Sequence, residues 1–119
     1  NQTLEDLELI LTSRYPKECV ELAFFQSNVE GEIINKIHEA HKNKIQGIII
    51  NPGAYTHYAL GIHDAIKAIT VPVIEVHISN IHAREKSRQT SVIADATVGQ
   101  ISGFGFKSYS LAIEYFLLD

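Results

Sequence analysis

Gly47-Ile48-Ile49-Ile50-Asn51-Pro52-Gly53-Ala54-Tyr55-Thr56-His57 sets the architecture of this chain. A short β-branched run bounded by turn residues predicts a strand buried on both faces, as in a parallel sheet. The run stops at Asn51, turns through Pro52 and Gly53, and restarts as a helix with Thr56 as its N-cap. A second stretch repeats the plan, with Val73-Ile74-Glu75-Val76 followed by His77-Ile78-Ser79-Asn80. In open α/β sheets, ligands bind beyond the carboxyl ends of the strands. Asn51, Thr56 and His57 at one tip and the polar residues from His77 at the next are therefore expected to build one site.

On either side of these residues, helical and extended patterns alternate. Leu4, Leu7, Leu9, Ile10 and Leu11 mark a first helix, with Thr3 as N-cap, acidic Glu5 and Asp6 in its first turn, and Pro16 beyond its end. Val20 to Phe25 alternates as a strand, with Cys19 expected to pack at its start as a small apolar residue. Gly31 to Lys42 predicts a second helix with Ile33, Ile34 and Ile37 on its core face. A third runs from about His57 to Ala68 and is stopped by Pro72. After a polar segment from Ser79 to Ser91, Val92 to Ser102 is expected as the last strand. Gly103-Phe104-Gly105 then turns the chain into a helix ending near Leu118.

Helices alternating with strands imply an α/β fold, a parallel sheet covered by helices on both faces. Right-handed crossovers favour a doubly wound, three-layered sheet whose first strand lies in the middle. No strand precedes the first helix here, and a gap in the sheet would leave two rows of backbone groups unpaired. The chain also contains no methionine and opens at Asn1-Gln2-Thr3 directly into a helix. The expectation is one α/β catalytic domain over residues 1–119, preceded by a central strand that lies ahead of Asn1. The alternative is a four-stranded sheet of different order.

Composition narrows the function classes. The 119 residues are 45% hydrophobic and 20% charged, the balance of one folded domain rather than a disordered chain. A net charge of −4 gives no reason to expect nucleic acid or an anionic membrane surface as partner. A single cysteine excludes an internal disulfide and fits a reducing compartment. No apolar run reaches the roughly 18 residues of a membrane span, and no signal-peptide pattern opens the chain. The cytoplasm is the expected location.

Among polar residues, Glu75 and His77 carry the most information. Two apart in extended backbone, their side chains point the same way. A carboxylate in an apolar strand needs a partner, and the nearby imidazole can be it. That pairing sets the ring's tautomer and suits a general acid; it could equally be a buried tie between strand and loop. Asn51 could cap its turn or bind a ligand. His57 and Asp64, seven apart, share one helix face, and Arg84 and Arg88, four apart, would share another. With Lys86 these arginines form an anion-binding candidate in an acidic chain, although most such clusters are solvated surface.

Three motifs in order, Phe24-Phe25-Gln26-Ser27-Asn28-Val29-Glu30-Gly31-Glu32, Ile50-Asn51-Pro52-Gly53-Ala54-Tyr55-Thr56-His57 and Glu75-Val76-His77-Ile78-Ser79-Asn80-Ile81-His82-Ala83-Arg84-Glu85, resemble the type II 3-dehydroquinate dehydratases. The similarity spans essentially the whole chain. Departures are Lys86-Ser87 before Arg88, where an acidic-aromatic pair is more usual, and His63 before Asp64, where Arg is common. The resemblance implies a flavodoxin-like fold and trans elimination of water from 3-dehydroquinate, through an enolate, to 3-dehydroshikimate in the shikimate pathway. It implies no metal and no organic cofactor. His77 matches the proton donor to the leaving hydroxyl, aligned by Glu75, and Asn51 matches the residue binding that hydroxyl. Ile78 and Ser79 match positions whose backbone N–H groups hold the substrate carboxylate. His57 and Arg88 match residues on substrate hydroxyls, and Arg84 one associated with a lid. Asp64 matches a residue reaching a neighbouring subunit's site, which implies a homo-oligomer, commonly a dodecamer of trimers. The family's lid, with its tyrosine base and an arginine, would lie ahead of Asn1. The 119 residues alone are accordingly expected to be nearly inactive.

Two rivals share the layered architecture. A receiver or flavin-binding module would need, for the receiver, an Asp where Asn51 stands and a Lys where Gly103 stands. An inactive ligand-binding or scaffold module lacking the lid is the other. Two further patterns mislead. His38 and His41 lack the surrounding ligands of a zinc site. Gly103-Phe104-Gly105 precedes the last helix rather than the first, without the third glycine of a dinucleotide fingerprint.

Overall fold

The computed structural model describes residues 3–53, 60–79 and 93–118. Among these residues, four helices and three strands follow in the order α1 (Leu4–Arg14), α2 (Glu30–Lys42), β1 (Ile48–Ile50), α3 (Leu60–Lys67), β2 (Val73–His77), β3 (Gly99–Ser102) and α4 (Lys107–Leu117), with a 3-10 turn at Ala94–Ala96 before β3. The α1 boundary is written in its first residues. Thr3 Oγ1 accepts from Asp6 N at 3.2 Å, and Asp6 Oδ2 accepts from Thr3 N at 2.9 Å, a reciprocal cap that satisfies two otherwise orphaned donors.

The three strands are parallel in the order β1-β2-β3. Ile48, Ile49 and Ile50 lie beside Val73, Ile74 and Glu75, while Val76 and His77 lie beside Ile101 and Ser102. Side chains alternate across the sheet, so each face has its own core. Val73, Ile48 and Ile50 pack with Ile37 of α2 and Ile62, Ala65 and Ile66 of α3. On the other face Ile74, Val76, Ile49 and Ile101 pack under Ala112 and Phe116 of α4. Leu7, Leu11 and Tyr15 of α1 join Ile113 on that same side, also against Ile49. The result is three layers, α1 and α4 on one face and α2 and α3 on the other, the expected α/β architecture. β2 lies between two strands and two helix layers, and all five of its residues are buried.

Several sequence expectations change. Val20 to Phe25 is not a ladder strand. Its alternation is real, since Val20, Leu22 and Phe24 pack onto the α1 core while Glu21, Ala23 and Phe25 are exposed. Period-two burial decides which side chains face inward, but a ladder also needs a strand alongside, and none lies there among the described residues. Cys19 is exposed rather than packed, because a turn held by Pro16 O throws it outward. Leu9 and Ile10 lie outside the α1 core, at 67% and 40% exposure. The last strand is four residues long, shortened by the 3-10 turn in which Thr97 Oγ1 caps Ala94 O at 2.8 Å. Val92 and the start of the helix expected from His57 lie outside the described residues.

One close approach is testable. A Cβ on Gly47 would stand 2.6 Å from the Phe116 ring, so β1 and α4 meet there only because the position is bare. Gly47→Ala should cost about 1–3 kcal/mol through overpacking, measured by chemical denaturation; an unchanged midpoint would mean the ring yields freely.

A second test concerns Tyr15. Its hydroxyl donates to Glu114 Oε2 at 2.7 Å, tying α1 to α4. Burial, reinforced by the Glu114 carboxylate, raises the phenol above its ordinary 10.0. The folded chain thus holds this proton more tightly than the unfolded one. The resulting stability is complete below the unfolded value and is lost as pH rises through the folded one. Denaturation midpoints should fall on the alkaline side of about pH 10, and Tyr15→Phe should make that fall shallower.

Candidate active site

At the carboxyl end of β2, parity of the strand puts Glu75 and His77 on the face shared by Val73. Glu75 is completely buried and His77 is 7% exposed. Glu75 Oε2 and His77 Nε2 are joined by a short hydrogen bond. A carboxylate acceptor places the hydrogen on Nε2, which leaves Nδ1 as the ring atom that can pass a proton onward. No described residue bonds Nδ1. The i, i+2 pairing read from the sequence is therefore present, and the pair is held in a strand with no freedom to drift.

The main chain beyond His77 is clamped as well. His77 O accepts from Gly103 N at 2.9 Å, Ser79 O from Gly103 N at 3.2 Å, and Ile78 O from Gly105 N at 3.0 Å. With their carbonyls engaged by the loop after β3, Ile78 and Ser79 present a peptide segment of fixed course at the strand tip. Gly103, Phe104 and Gly105 make this possible with φ of 85°, 66° and 55°. Consecutive left-handed residues aim their N–H groups to one side. Ser108, fully buried in the first turn of α4, adds its hydroxyl to the carbonyl of Gly103 and, at 3.5 Å, to that of His77.

Asn51 stands at the carboxyl end of β1, immediately after Ile50, whose register partner is Glu75. Its Oδ1 accepts from Gly53 N at 3.2 Å, and its Nδ2 donates to Tyr109 Oη at 3.1 Å. Asn51 and His77 thus occupy neighbouring strand tips at the same end of the sheet. They approach that end from different sides, because Tyr109 belongs to the α4 layer and His77 shares the α2–α3 face of β2. A ligand touching both must lie across the ends of the strands.

Three described residues of this end were not singled out by sequence: Tyr109, Ser108 and Ser102. Ser102 lies beside His77 in the register, and its buried hydroxyl has no hydrogen-bond partner among the described residues. Its only sequence signal is a hydroxyl at the end of a strand flanking Glu75 and His77. Asp64 is exposed on α3, with His63 Nδ1 3.5 Å from its Oδ1 and His63 Nε2 2.9 Å from Asp95 Oδ1. His63 therefore ties α3 to the 3-10 turn, while most of the Asp64 side chain faces solvent. His57, Arg84 and Arg88 lie outside the described residues. Among the described residues, no three His, Cys, Asp or Glu side chains gather as a metal set, and no helix is long and apolar enough to cross a membrane.

Comparison with known proteins identifies the family. The family model described as dehydroquinase class II matches residues 1–117. A 3-dehydroquinate dehydratase of Caldicellulosiruptor bescii is 69% identical over 109 residues, 92% of this chain and 75% of the relative. That of Bacillus licheniformis is 52% identical over 115 residues, 97% of this chain and 79% of the relative. The crystal structure of a type II dehydroquinase from Butyrivibrio crossotus superposes with a TM-score of 0.93 at 44% identity, covering 98% of this chain and 81% of that one. These relatives do not favour an inactive scaffold, and the superposition shows the same fold. The chain belongs to the class II dehydroquinase family.

Proposed function

We propose that this chain carries the acid side of 3-dehydroquinate dehydration, a hydro-lyase reaction, with His77 as the group that protonates the departing hydroxyl. The observation that carries the reading is the buried Glu75–His77 pair at the end of β2. Glu75 keeps Nε2–H engaged, so the ring gives up its proton from Nδ1. The enolate, formed first by loss of the α-proton, collapses to the conjugated enone as the Nδ1 proton reaches the C1 hydroxyl; the carbon–oxygen electron pair leaves with the water, and the ring returns to the neutral form still bonded to Glu75.

Asn51 binds the leaving hydroxyl from the neighbouring tip and sets its direction toward His77. The Ile78 and Ser79 segment takes the substrate carboxylate through backbone donors, which suit the task because the fold fixes them before substrate arrives. His57 and Arg88 are assigned to ring hydroxyls and Arg84 to the lid, on family resemblance. Asp64 is assigned to a neighbouring subunit's site, consistent with its 83% exposed side chain. That assignment carries with it a homo-oligomer, a dodecamer built from trimers, acting in the cytoplasm on the shikimate pathway.

General acid catalysis contributes typically 10²–10⁴-fold, roughly 3–5 kcal/mol of barrier. In the full-length protein, His77→Ala should therefore lose at least about a hundredfold in kcat while still binding substrate-like acids. The appearance of the enone chromophore reads the rate, and an undiminished kcat would remove His77 from the acid role. Glu75→Ala should lower stability by about 3 kcal/mol, because it strands one member of a buried pair. Glu75→Gln, which keeps a hydrogen-bond acceptor, should cost less; equal losses in the two variants would count against the pairing.

A further inference from the structure

The Asn51 carboxamide is gripped from two directions, by Gly53 N–H on its oxygen and by the Tyr109 phenol on its nitrogen. We infer that Tyr109 is a positioning residue for the dehydration, its phenol setting the orientation in which Asn51 meets the leaving hydroxyl. This rests on the role given to Asn51 above.

A carboxamide offers two N–H donors and two oxygen lone pairs. The Gly53 N–H can only donate, so it decides which end of the amide is oxygen. A phenol oxygen can accept or donate, so Tyr109 alone would tolerate either orientation. Together the two contacts leave one choice, and they leave one Nδ2 hydrogen unused. That hydrogen is the group available to a hydroxyl oxygen lying over the strand tips.

Tyr109 is built to hold still. It sits in the first turn of α4, partly buried between the α1 and α4 cores, with its ring edge-on to Phe106 at 6.3 Å between centroids. Burial raises its ionisation above the ordinary 10.0, with the Asn51 hydrogen bond pulling the other way, so the phenol stays neutral at physiological pH. Remove the hydroxyl and, among the described residues, Asn51 keeps only the Gly53 contact. The terminal torsion of an asparagine is broad, so the carboxamide would then swing over a range of angles. Its placement would degrade while the ring packing of Tyr109 survived.

The test is a double-mutant cycle on the full-length protein with Tyr109→Phe, Asn51→Ala and the pair. Tyr109→Phe should lower kcat about tenfold, since small misplacements of a reacting group are costly, with KM within about twofold and the thermal midpoint preserved. In the Asn51→Ala background the same change should have no further effect on kcat. A merely structural tyrosine would instead lower kcat by the same factor in both backgrounds, and that result, or no loss in either, overturns the inference. So would a crystal structure of the unaltered protein with the Asn51 amide turned away from Tyr109, whatever the variants do. Unaltered protein that does not dehydrate 3-dehydroquinate would instead sink the dehydratase reading itself, and this inference with it.

Discussion

A carboxylate with no exposure at all, in the middle of a strand whose five residues are all buried, is the constraint on which this molecule turns. Isolated in an apolar interior, an ionised carboxylate costs on the order of tens of kcal/mol. Glu75 escapes that cost through an imidazole two residues on, which only extended backbone can bring alongside it. The fold therefore has to keep β2 straight and flanked on both sides. It does so with β1 and β3 as parallel neighbours and a helix pair on each face. What reads as a core requirement is at the same time the device that presents one ring nitrogen at the end of the sheet.

Consecutive residues at the start of α4 connect the two strand tips. Ser108 reaches the carbonyls of His77 and Gly103, and Tyr109 reaches Asn51. A displacement of this helix would thus be felt at β1 and β2 together. The Gly47–Phe116 contact keeps the other end of the same helix close to the sheet, where a side chain on residue 47 would push it away. Packing that looks remote from the polar residues is in this sense part of their alignment.

Much of this was legible in residue order. β1 and β2 are short β-branched runs with turn residues after them, the start of α1 follows from the Thr3 cap, and the extents of α2 and α4 follow from helical period. The Glu75–His77 pair was legible because strand parity is a local rule. Other features depend on distant partners. Val20, Leu22 and Phe24 alternate correctly, yet alternation cannot say whether a neighbouring strand is there to pair with. Tyr109 lies 58 residues from Asn51, and no periodicity links them. Leu9 and Ile10 belong to the apolar run that marks α1, but the buried stripe of a helix is narrower than that run. Ser102 carries no distinguishing signal, because a serine at a strand end is ordinary until its hydroxyl, without a partner among the described residues, is located beside His77.

The loop between β3 and α4 divides mutational freedom unevenly. Residues 103 to 105 all adopt left-handed backbone, and the hydrogen bonds that hold the loop to residues 77–79 come from main-chain groups. Phe104 endures a conformation that costs a residue with a Cβ about 1–2 kcal/mol, yet the residue is 68% exposed and contributes little to the interior. The contour of the loop is thus stored in peptide groups rather than in the aromatic. Position 104 can change its chemistry, toward glycine, asparagine or another ring, while the segment after His77 keeps its course. Its two glycine neighbours have no such latitude.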